Sequence, residues 1–468
     1  MLFSSMTFLF VFMPLVMAVY FLSKKEIRNY VLLIASIIFY AWGEPRYLAI
    51  MIITILVNYA GAILLDKHYS SRQRLWIVSL TIVLDLSFLF YFKYFNFVVD
   101  NINGVLATDF QLLDVIMPIG ISFYTFQAMS YLIDVYRREV PAQKDVYKLA
   151  LYIVLFPQLV AGPIVKYHDV CEQIDNRTIE FKNVIIGFKR FITGLAKKVL
   201  IANTLAEVVD KIFAQAPENL TTGVSWLGAV AYCLQLYYDF SGYSDMAIGL
   251  GLMFGFRFLE NFNYPYISKS ITEFWRRWHI SLATWFKLYL YIPLGGNRKG
   301  AVRTYWNLFA VFLVTGIWHG AAWSYVAWGI WNGIFIVIER FFGLDKDKND
   351  RWYVSAAKHV YAFFAIVWGM IIFRAESLSY AYEYICRMLH IDVTKHLPDY
   401  DYGVNNKFAI MLIVGLICAM PVCRNLIYIK YEHKVRRTLV NIWLFLLFFW
   451  STISLAASTY NPFIYFRF

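Results

Sequence analysis

The chain has 468 residues, of which 60% are hydrophobic and 16% are charged, and its 43 Lys and Arg against 31 Asp and Glu give a net charge of +12. Soluble domains contain about 45–50% apolar residues, so this composition excludes a soluble enzyme. No basic domain lies outside the apolar runs, so the charge does not indicate nucleic-acid binding. Apolar runs recur along the whole chain, which predicts a single polytopic membrane domain over residues 1–468.

The predicted fold class is an all-α polytopic membrane protein with about 11–12 transmembrane helices plus re-entrant or interfacial segments. The predicted spans are 1–22, 30–42, 47–65, 75–98, 116–136, 188–204, 224–254, 304–318, 322–341, 359–373, 408–423 and 438–457. The loops at 100–114, 205–222 and 374–407 are poor in Lys and Arg or carry compensating acids, so we assign them to the outer side. The first run lacks a basic flank and a cleavage site, so it is interpreted as a retained span.

Two segments interrupt this pattern. Residues 149–163 contain Pro157 and Pro163, which break a helix, and are interpreted as a re-entrant hairpin sheltered by protein. Residues 264–303 interleave Trp, Arg, His, Lys and Tyr without a clean apolar run, which predicts a cytosolic interfacial or re-entrant segment. The basic pair Lys197–Lys198 is counted with the positive residues that flank the apolar runs on the cytosolic side.

Polar side chains cluster inside the apolar run at 224–254. They include Gln235, Tyr238, Asp239, Ser241 and Asp245. Polar groups in a membrane segment cost a few kcal/mol unless they line a cavity or are paired. The cluster is therefore either the wall of a tunnel or a hydrogen-bonded core, and the sequence leaves both open. Trp318 and Asn332 are assigned to the same tunnel.

His319 lies between two apolar runs and is flanked by Gly316 and Gly320, which permit a helix break. An imidazole at this depth is a candidate general base if a cavity brings substrate to it. A core histidine bonded to a backbone carbonyl is the alternative.

The segment Phe274–Ser281 contains a second histidine, His279, together with Arg276, Arg277 and Trp278. The two arginines suit an anionic group such as a cofactor phosphate, although a snorkelling interfacial helix explains the same composition. No metal is predicted, because the histidines and the five cysteines lack metal-ligand spacing.

The C-terminal end, residues 438–468, is predicted to be a last span followed by an aromatic tail. The tail alternates aromatic residues around Tyr465. It is interpreted either as an aromatic belt that anchors the last helix or as a segment that presents the Tyr465 phenol as a nucleophile.

Several motifs resemble those of the membrane-bound O-acyltransferase (MBOAT) family, in particular bacterial proteins of the alginate O-acetylase type. The matching segments are Pro118–Gln127, Asp239–Gly249, Asn261–Tyr266, Phe274–Ser281, Tyr289–Arg298 and Gly316–Gly320. The resemblance runs nearly end to end, and it implies a helical shell around a transmembrane tunnel. His319 matches the family's membrane-embedded catalytic histidine, and His279 matches its second histidine.

The resemblance also implies a function. Acetyl would pass from cytosolic acetyl-CoA across a bacterial cytoplasmic membrane for O-acetylation of an extracytoplasmic polysaccharide. A separate SGNH or esterase-like transferase is the expected partner, besides the polysaccharide and membrane lipid. The tail resembles the aromatic motif of a peptide in teichoic-acid D-alanylation, which makes Tyr465 a candidate acetyl carrier.

Two other functions stay open at this stage. Within the same superfamily, the chain could transfer D-alanine from a carrier protein to teichoic acid. From a different class, polar residues inside helices also line transport pathways, and a polysaccharide or small-molecule transporter is the second alternative.

Overall fold

A computed structural model describes residues 1–67, 70–345, 350–390, 400–423, 434–458 and 460–462. The described residues form helices and connecting segments without a β-strand, as predicted. The helices are α1 (Met13–Leu22), α2 (Arg28–Ala41), α3 (Leu48–Asp66), α4 (Ser71–Leu89), α5 (Phe95–Leu106), α6 (Ile121–Arg137), α7 (Val146–Val154), α8 (Tyr167–Asn176), α9 (Phe181–Ala196), α10 (Asn203–Phe213), α11 (Thr222–Met253), α12 (Ile271–Arg277), α13 (Ile280–Phe286), α14 (Ala301–His319), α15 (Trp323–Phe342), α16 (Trp352–Arg374), α17 (Leu378–Met388), α18 (Asn406–Cys418) and α19 (Lys434–Ala457).

Short π-helical turns extend or join several of these helices. They comprise Phe8–Phe12, Phe90–Tyr94, Lys197–Ala202 and Lys287–Tyr291. The turn at Lys197–Ala202 runs directly from α9 into α10. A π-turn holds an extra residue per turn and so changes the direction of the side chains it carries.

Each predicted span contains a helix. Among the described residues, four stretches are long and apolar enough to cross a membrane: Pro45–Asp66, Ser71–Leu106, Trp352–Arg374 and Arg437–Ala457. Helix α11 has 32 residues and is about 48 Å long at 1.5 Å per residue. Its second half is buried almost continuously, so protein rather than lipid surrounds it.

The three segments predicted as outer loops are partly helical, which corrects the sequence analysis. Helix α5 continues to Leu106, α10 occupies the start of 205–222, and α17 lies within 374–407. In α10, Leu205, Val208 and Ile212 are buried at helical spacing. Averaged hydropathy hides such a stripe, because the polar residues of the opposite face cancel it.

The chain divides into two compact units. The first contains residues Met1–Phe191 and Tyr243–Leu259, and the second contains Ile192–Gly242 and Glu260–Phe468. In the first unit, the segment predicted as a re-entrant hairpin is helical up to Val154 and then runs through turns over 155–163. Both predicted histidines lie in the second unit.

Helices α14 and α15 pack closely through a pair of glycines. A Cβ added at Gly316 would lie 2.9 Å from the Gly329 Cα, which is closer than real Cβ contacts. The chain leaves α14 at Gly320, whose backbone is extended. His319 is therefore the last residue of a helix that is held against α15 without an intervening side chain.

Candidate active site

His319 is buried at the end of α14, with 6% of its surface exposed. Aromatic rings of described residues pack around its imidazole. The ring centroids lie 4.9 Å away for Trp318, 5.0 Å for Trp328 and 5.2 Å for Phe373. The Trp328 and Phe373 rings meet it edge to face, at 87° and 86°, which fixes the plane of the imidazole.

A small cavity opens beside this imidazole. Its lining consists of Leu236, Phe240, Trp278, His319, Trp328, Met370 and Phe373, and its volume is about 20 Å³. This volume would hold about one water molecule. Met370 is the unbranched, flexible member of the lining, so it is the side chain best able to make room for a larger group. The cavity gives His319 the neighbouring space that a general base requires.

His279 contacts one of the residues that line the cavity. Its ring meets Phe240 edge to face at 4.6 Å, and Phe240 also lines the cavity. His279 is 1% exposed and precedes α13 with a left-handed backbone, φ 46°. The structure thus brings both predicted histidines to the region of Phe240 and Trp278.

Asn261 sets which nitrogen of the neutral His279 imidazole carries the proton. The backbone N–H of Ser281 donates to Asn261 Oδ1 at 3.1 Å, and the Ser281 hydroxyl donates to the same atom at 2.9 Å. Because an N–H must face an oxygen, the orientation of the Asn261 amide is set. His279 Nδ1, 3.2 Å from the same oxygen, must therefore donate, which leaves the lone pair on Nε2. Burial lowers the pKa of His279 to about 3, so the ring is neutral at physiological pH.

Helix α12 carries the residues that precede His279, and a buried carboxylate fixes its first turn. Glu339 of α15 accepts hydrogen bonds from the N–H groups of Ile271 and Thr272, and from the Tyr361 hydroxyl at 3.0 Å. The carboxylate faces N–H groups that an α-helix leaves without intrahelical acceptors. Glu339 thereby links α15, which lines the cavity, to the segment that carries Trp278 and His279.

The two arginines predicted to bind the donor differ in their surroundings. Arg276 is exposed. Arg277 forms an ion pair with Glu273 at 2.9 Å and donates to the Asn263 carbonyl at 3.2 Å. Trp278 is buried and lines the cavity. Of the two arginines, Arg276 is therefore the one with an exposed side chain, and its role in binding the donor stays a prediction.

The polar residues of α11 divide into two groups. Tyr238 donates a hydrogen bond to the Gly415 carbonyl at 2.6 Å, as in the core interpretation. Gln235 and Ser241 are buried, and within the described residues Gln235 Oε1 and Ser241 Oγ have no hydrogen-bond partner. Buried polar atoms of this kind favour water or a substrate nearby, as in the tunnel interpretation.

The two aspartates of α11 form ion pairs. Asp239 pairs with Lys198 at 2.6 Å in the second unit, and Asp245 pairs with Arg190 at 2.8 Å in the first. The sequence pattern groups Lys198 with the cations that flank the apolar runs, but this side chain is 2% exposed. Its assignment is corrected: Lys198 is part of a π-turn and neutralises a buried acid.

Asn332 does not line the cavity but supports it. It accepts a hydrogen bond from Trp275 Nε1 at 3.0 Å and donates to the Trp328 carbonyl at 2.8 Å. Trp318 lies against His319 instead. Tyr465 is outside the described residues, so its predicted role stays a prediction. In the part of the chain that the structure describes, no group of three or more His, Cys, Asp or Glu residues could hold a metal ion.

Sequence reasoning missed several residues of this site. Phe240, Phe373 and Met370 line the cavity, but each lies in an apolar run where nothing in the sequence separates it from its neighbours. Lys198 and Glu339 did carry a signal, because a charge inside an apolar run is costly unless paired.

An all-helical membrane protein with a buried histidine beside a cavity has the arrangement expected of a membrane acyltransferase. A family model described as MBOAT, membrane-bound O-acyltransferase family, matches residues 34–377. A protein of Pseudomonas putida named "Probable alginate O-acetylase AlgI" is 42% identical to this chain over 500 aligned positions, which cover 100% of both chains.

Two further relatives are more distant. The peptidoglycan O-acetyltransferase of Helicobacter pylori is 32% identical and covers 93% of this chain and 89% of its own. The teichoic acid D-alanyltransferase of Bacillus subtilis is 28% identical and covers 55% of this chain and 69% of its own. The chain belongs to the membrane-bound O-acyltransferase family. It is a membrane-bound acyltransferase, as predicted.

Proposed function

We propose that the protein is a multi-pass O-acetyltransferase of the bacterial cytoplasmic membrane. It takes acetyl from cytosolic acetyl-CoA and delivers it for O-acetylation of an extracytoplasmic polysaccharide. The observation that carries the proposal is the placement of His319 beside a cavity walled by aromatic rings. The names of the relatives in Pseudomonas putida and Helicobacter pylori support the acetyl group and the polysaccharide acceptor.

The proposed chemistry uses His319 as a general base. The imidazole takes the proton of an acceptor hydroxyl while the hydroxyl oxygen attacks the thioester carbonyl. The new C–O bond forms as the C–S bond breaks, and the proton passes from the imidazolium to the departing thiolate to give free CoA. Removing the proton during attack avoids an alkoxide in a site of low dielectric constant.

The segment around α12 is the proposed donor side. Arg276 is exposed and suits a phosphate of CoA, since a guanidinium binds phosphate with two parallel hydrogen bonds. Arg277 holds the segment in place through Glu273 and the Asn263 carbonyl. His279 is neutral with its lone pair on Nε2, so we assign it the role of a hydrogen-bond acceptor near the cavity wall.

The proposed acceptor side uses a relay. The Tyr465 hydroxyl is the first acceptor of acetyl, and a separate SGNH or esterase-like transferase carries acetyl from the phenyl ester to the polysaccharide. A phenyl ester is a reactive acyl carrier, because a phenolate with a pKa of about 10 leaves more easily than a sugar alkoxide.

Mass spectrometry of the purified protein after incubation with acetyl-CoA tests donor, base and relay together. An acetyl adduct on Tyr465 is expected in the wild type and absent in the His319→Ala and Tyr465→Phe variants. His168→Ala is the matched control, because its side chain is 66% exposed in α8. This control should retain the adduct.

Other outcomes contradict parts of the proposal. A retained adduct in His319→Ala would exclude His319 as the base. Release of CoA only with a polysaccharide or partner present, without an adduct, would exclude the relay. Activity with a carrier-protein thioester but not with acetyl-CoA would favour D-alanyl transfer, as in the relative from Bacillus subtilis. Substrate flux that survives His319→Ala, without CoA release, would favour transport.

A further inference from the structure

The last described residues of the chain, Tyr460–Pro462, bind to the helical stretch formed by the π-turn Lys197–Ala202 and α10. The Lys198 ammonium donates to the Pro462 carbonyl. Asn203 Nδ2 donates to Asn461 Oδ1 at 3.0 Å. The Tyr460 hydroxyl donates to Asp210, which also pairs with Arg374 at 2.7 Å. Three consecutive residues are thus each held by a side chain of one helical stretch.

Lys198 is the centre of this arrangement. Among the described residues, its ammonium donates hydrogen bonds to Asn203 Oδ1 at 2.8 Å and to the Pro462 carbonyl. Lys198 Nζ also forms an ion pair with Asp239 Oδ1 at 2.6 Å. The side chains of Lys198 and Asp239 are 2% and 3% exposed. The ion pair therefore joins the polar run of α11 to the C-terminal segment.

Close backbone packing supports this position. A Cβ added at Gly242 of α11 would lie 2.7 Å from the Gly194 carbonyl oxygen and 3.1 Å from the Lys198 backbone nitrogen. Only a glycine allows α11 to approach the π-turn this closely. The π-turn then directs Lys198 toward Asp239, one helical turn away from Gly242.

A buried ion pair is weak evidence for stability, because desolvation offsets much of the attraction. A role in fixing one arrangement is the better account where the same ammonium also holds a distant segment. We infer that Lys198 is a positioning residue that anchors Tyr460–Pro462 against α11 and thereby supports acetyl transfer to Tyr465. The second half of this inference rests on the proposed acyl relay.

The test uses a charge-neutral double variant, Lys198→Met with Asp239→Leu, since removing one partner alone would leave a buried charge and endanger folding. A milder variant is Asn461→Ala. The control is Lys358→Met with Asp350→Leu, which removes an ion pair of similar length whose residues are also mostly buried. Each full-length protein is purified and its thermal unfolding is measured first.

Two readouts then separate anchoring from chemistry. Limited chymotrypsin digestion, followed by mass spectrometry, measures cleavage after Tyr460. Incubation with acetyl-CoA measures the adduct on Tyr465, and N-acetyltyrosinamide, added in a Tyr465→Phe background, measures transfer to a free phenol. We expect at least tenfold faster cleavage and at least tenfold less adduct in the double variant. Transfer to the free phenol should stay within about threefold of the control.

Unchanged cleavage in the double variant would overturn the anchor. Faster cleavage with an unchanged Tyr465 adduct would overturn the positioning role, as would an equal loss of transfer to the free phenol, which would indicate general structural damage. If even the wild type forms no adduct, the relay is wrong and the positioning role is overturned with it. The chymotrypsin result still decides whether Lys198 anchors Tyr460–Pro462.

Discussion

The neutral state of His279 predicts an acid-sensitive contribution to stability. The perturbation is His279→Asn, which removes the imidazole and its edge-to-face contact with Phe240 but keeps two local features. Asn tolerates the left-handed backbone at this position, φ 46°, and its side-chain amide can donate to Asn261 Oδ1 in place of the imidazole Nδ1. The variant therefore removes the titrating ring while keeping the local backbone and the hydrogen bond.

The magnitude follows from the pKa of His279, which burial lowers from 6.5 to about 3. In the unfolded chain the imidazole takes up a proton below about pH 6.5, whereas in the folded protein it does so only below about pH 3. Folding stability is therefore lost as the pH falls through this window. At about 1.36 kcal/mol per pKa unit, the wild type loses about 2 kcal/mol at pH 5 and about 5 kcal/mol below pH 3 through this group alone.

Thermal unfolding in detergent, followed by Trp fluorescence, measures the effect. For a chain of this length about 1 kcal/mol corresponds to roughly 1 °C in Tm. The Tm of the wild type should therefore fall by about 2 °C more than that of His279→Asn between pH 7 and pH 5. Other titrating groups are shared by both proteins and cancel in the difference. Parallel Tm curves across this range would refute the assignment of a neutral, buried His279.

Two more changes test how the site is held. Gly316→Ala should lower the free energy of unfolding by about 2–4 kcal/mol and reduce acetyl transfer, because the added Cβ would meet the Tyr325 carbonyl and the α15 backbone. The control is Gly104→Ala, whose Cβ would meet nothing within 4 Å. Equal Tm values for the two variants would contradict the close packing. Glu339→Gln should lower the free energy of unfolding by about 1–3 kcal/mol, because the Gln amide oxygen can accept only one of the two hydrogen bonds from the α12 N–H groups. Faster hydrogen exchange of the amides in the first turn of α12 measures this loss.

Much of the molecule could be predicted from the sequence. The apolar runs predicted the all-α fold, and a helix lies within each predicted span. The motif around His319 predicted a buried imidazole at a helix end, and the structure places it there. Local composition decides these features, since a membrane segment must satisfy its backbone internally and therefore becomes helical.

Contacts between segments that are distant in the chain could not be predicted from the sequence. Lys198 and Asp239 are 41 residues apart, and only the packing of the π-turn against α11 makes them partners. The helices inside the predicted outer loops were missed for a related reason. Helix α10 is amphipathic, and its apolar stripe is recognised only when the surface that covers it is known. The sequence left the polar run of α11 as either a tunnel wall or a core. The hydrogen bond of Tyr238 and the ion pair of Asp239 agree with a core, and the tunnel wall stays a prediction.

The bond from Lys198 to Pro462 joins residues 264 positions apart, and this separation has a consequence during biosynthesis. A ribosome that adds about 5–20 residues per second needs tens of seconds to pass from one to the other. During that time Lys198 and Asp239 have already been made, whereas Pro462 has not. The anchor of the C-terminal segment is therefore among the last contacts to form, and a chain interrupted before residue 460 would contain both histidines but not the completed anchor.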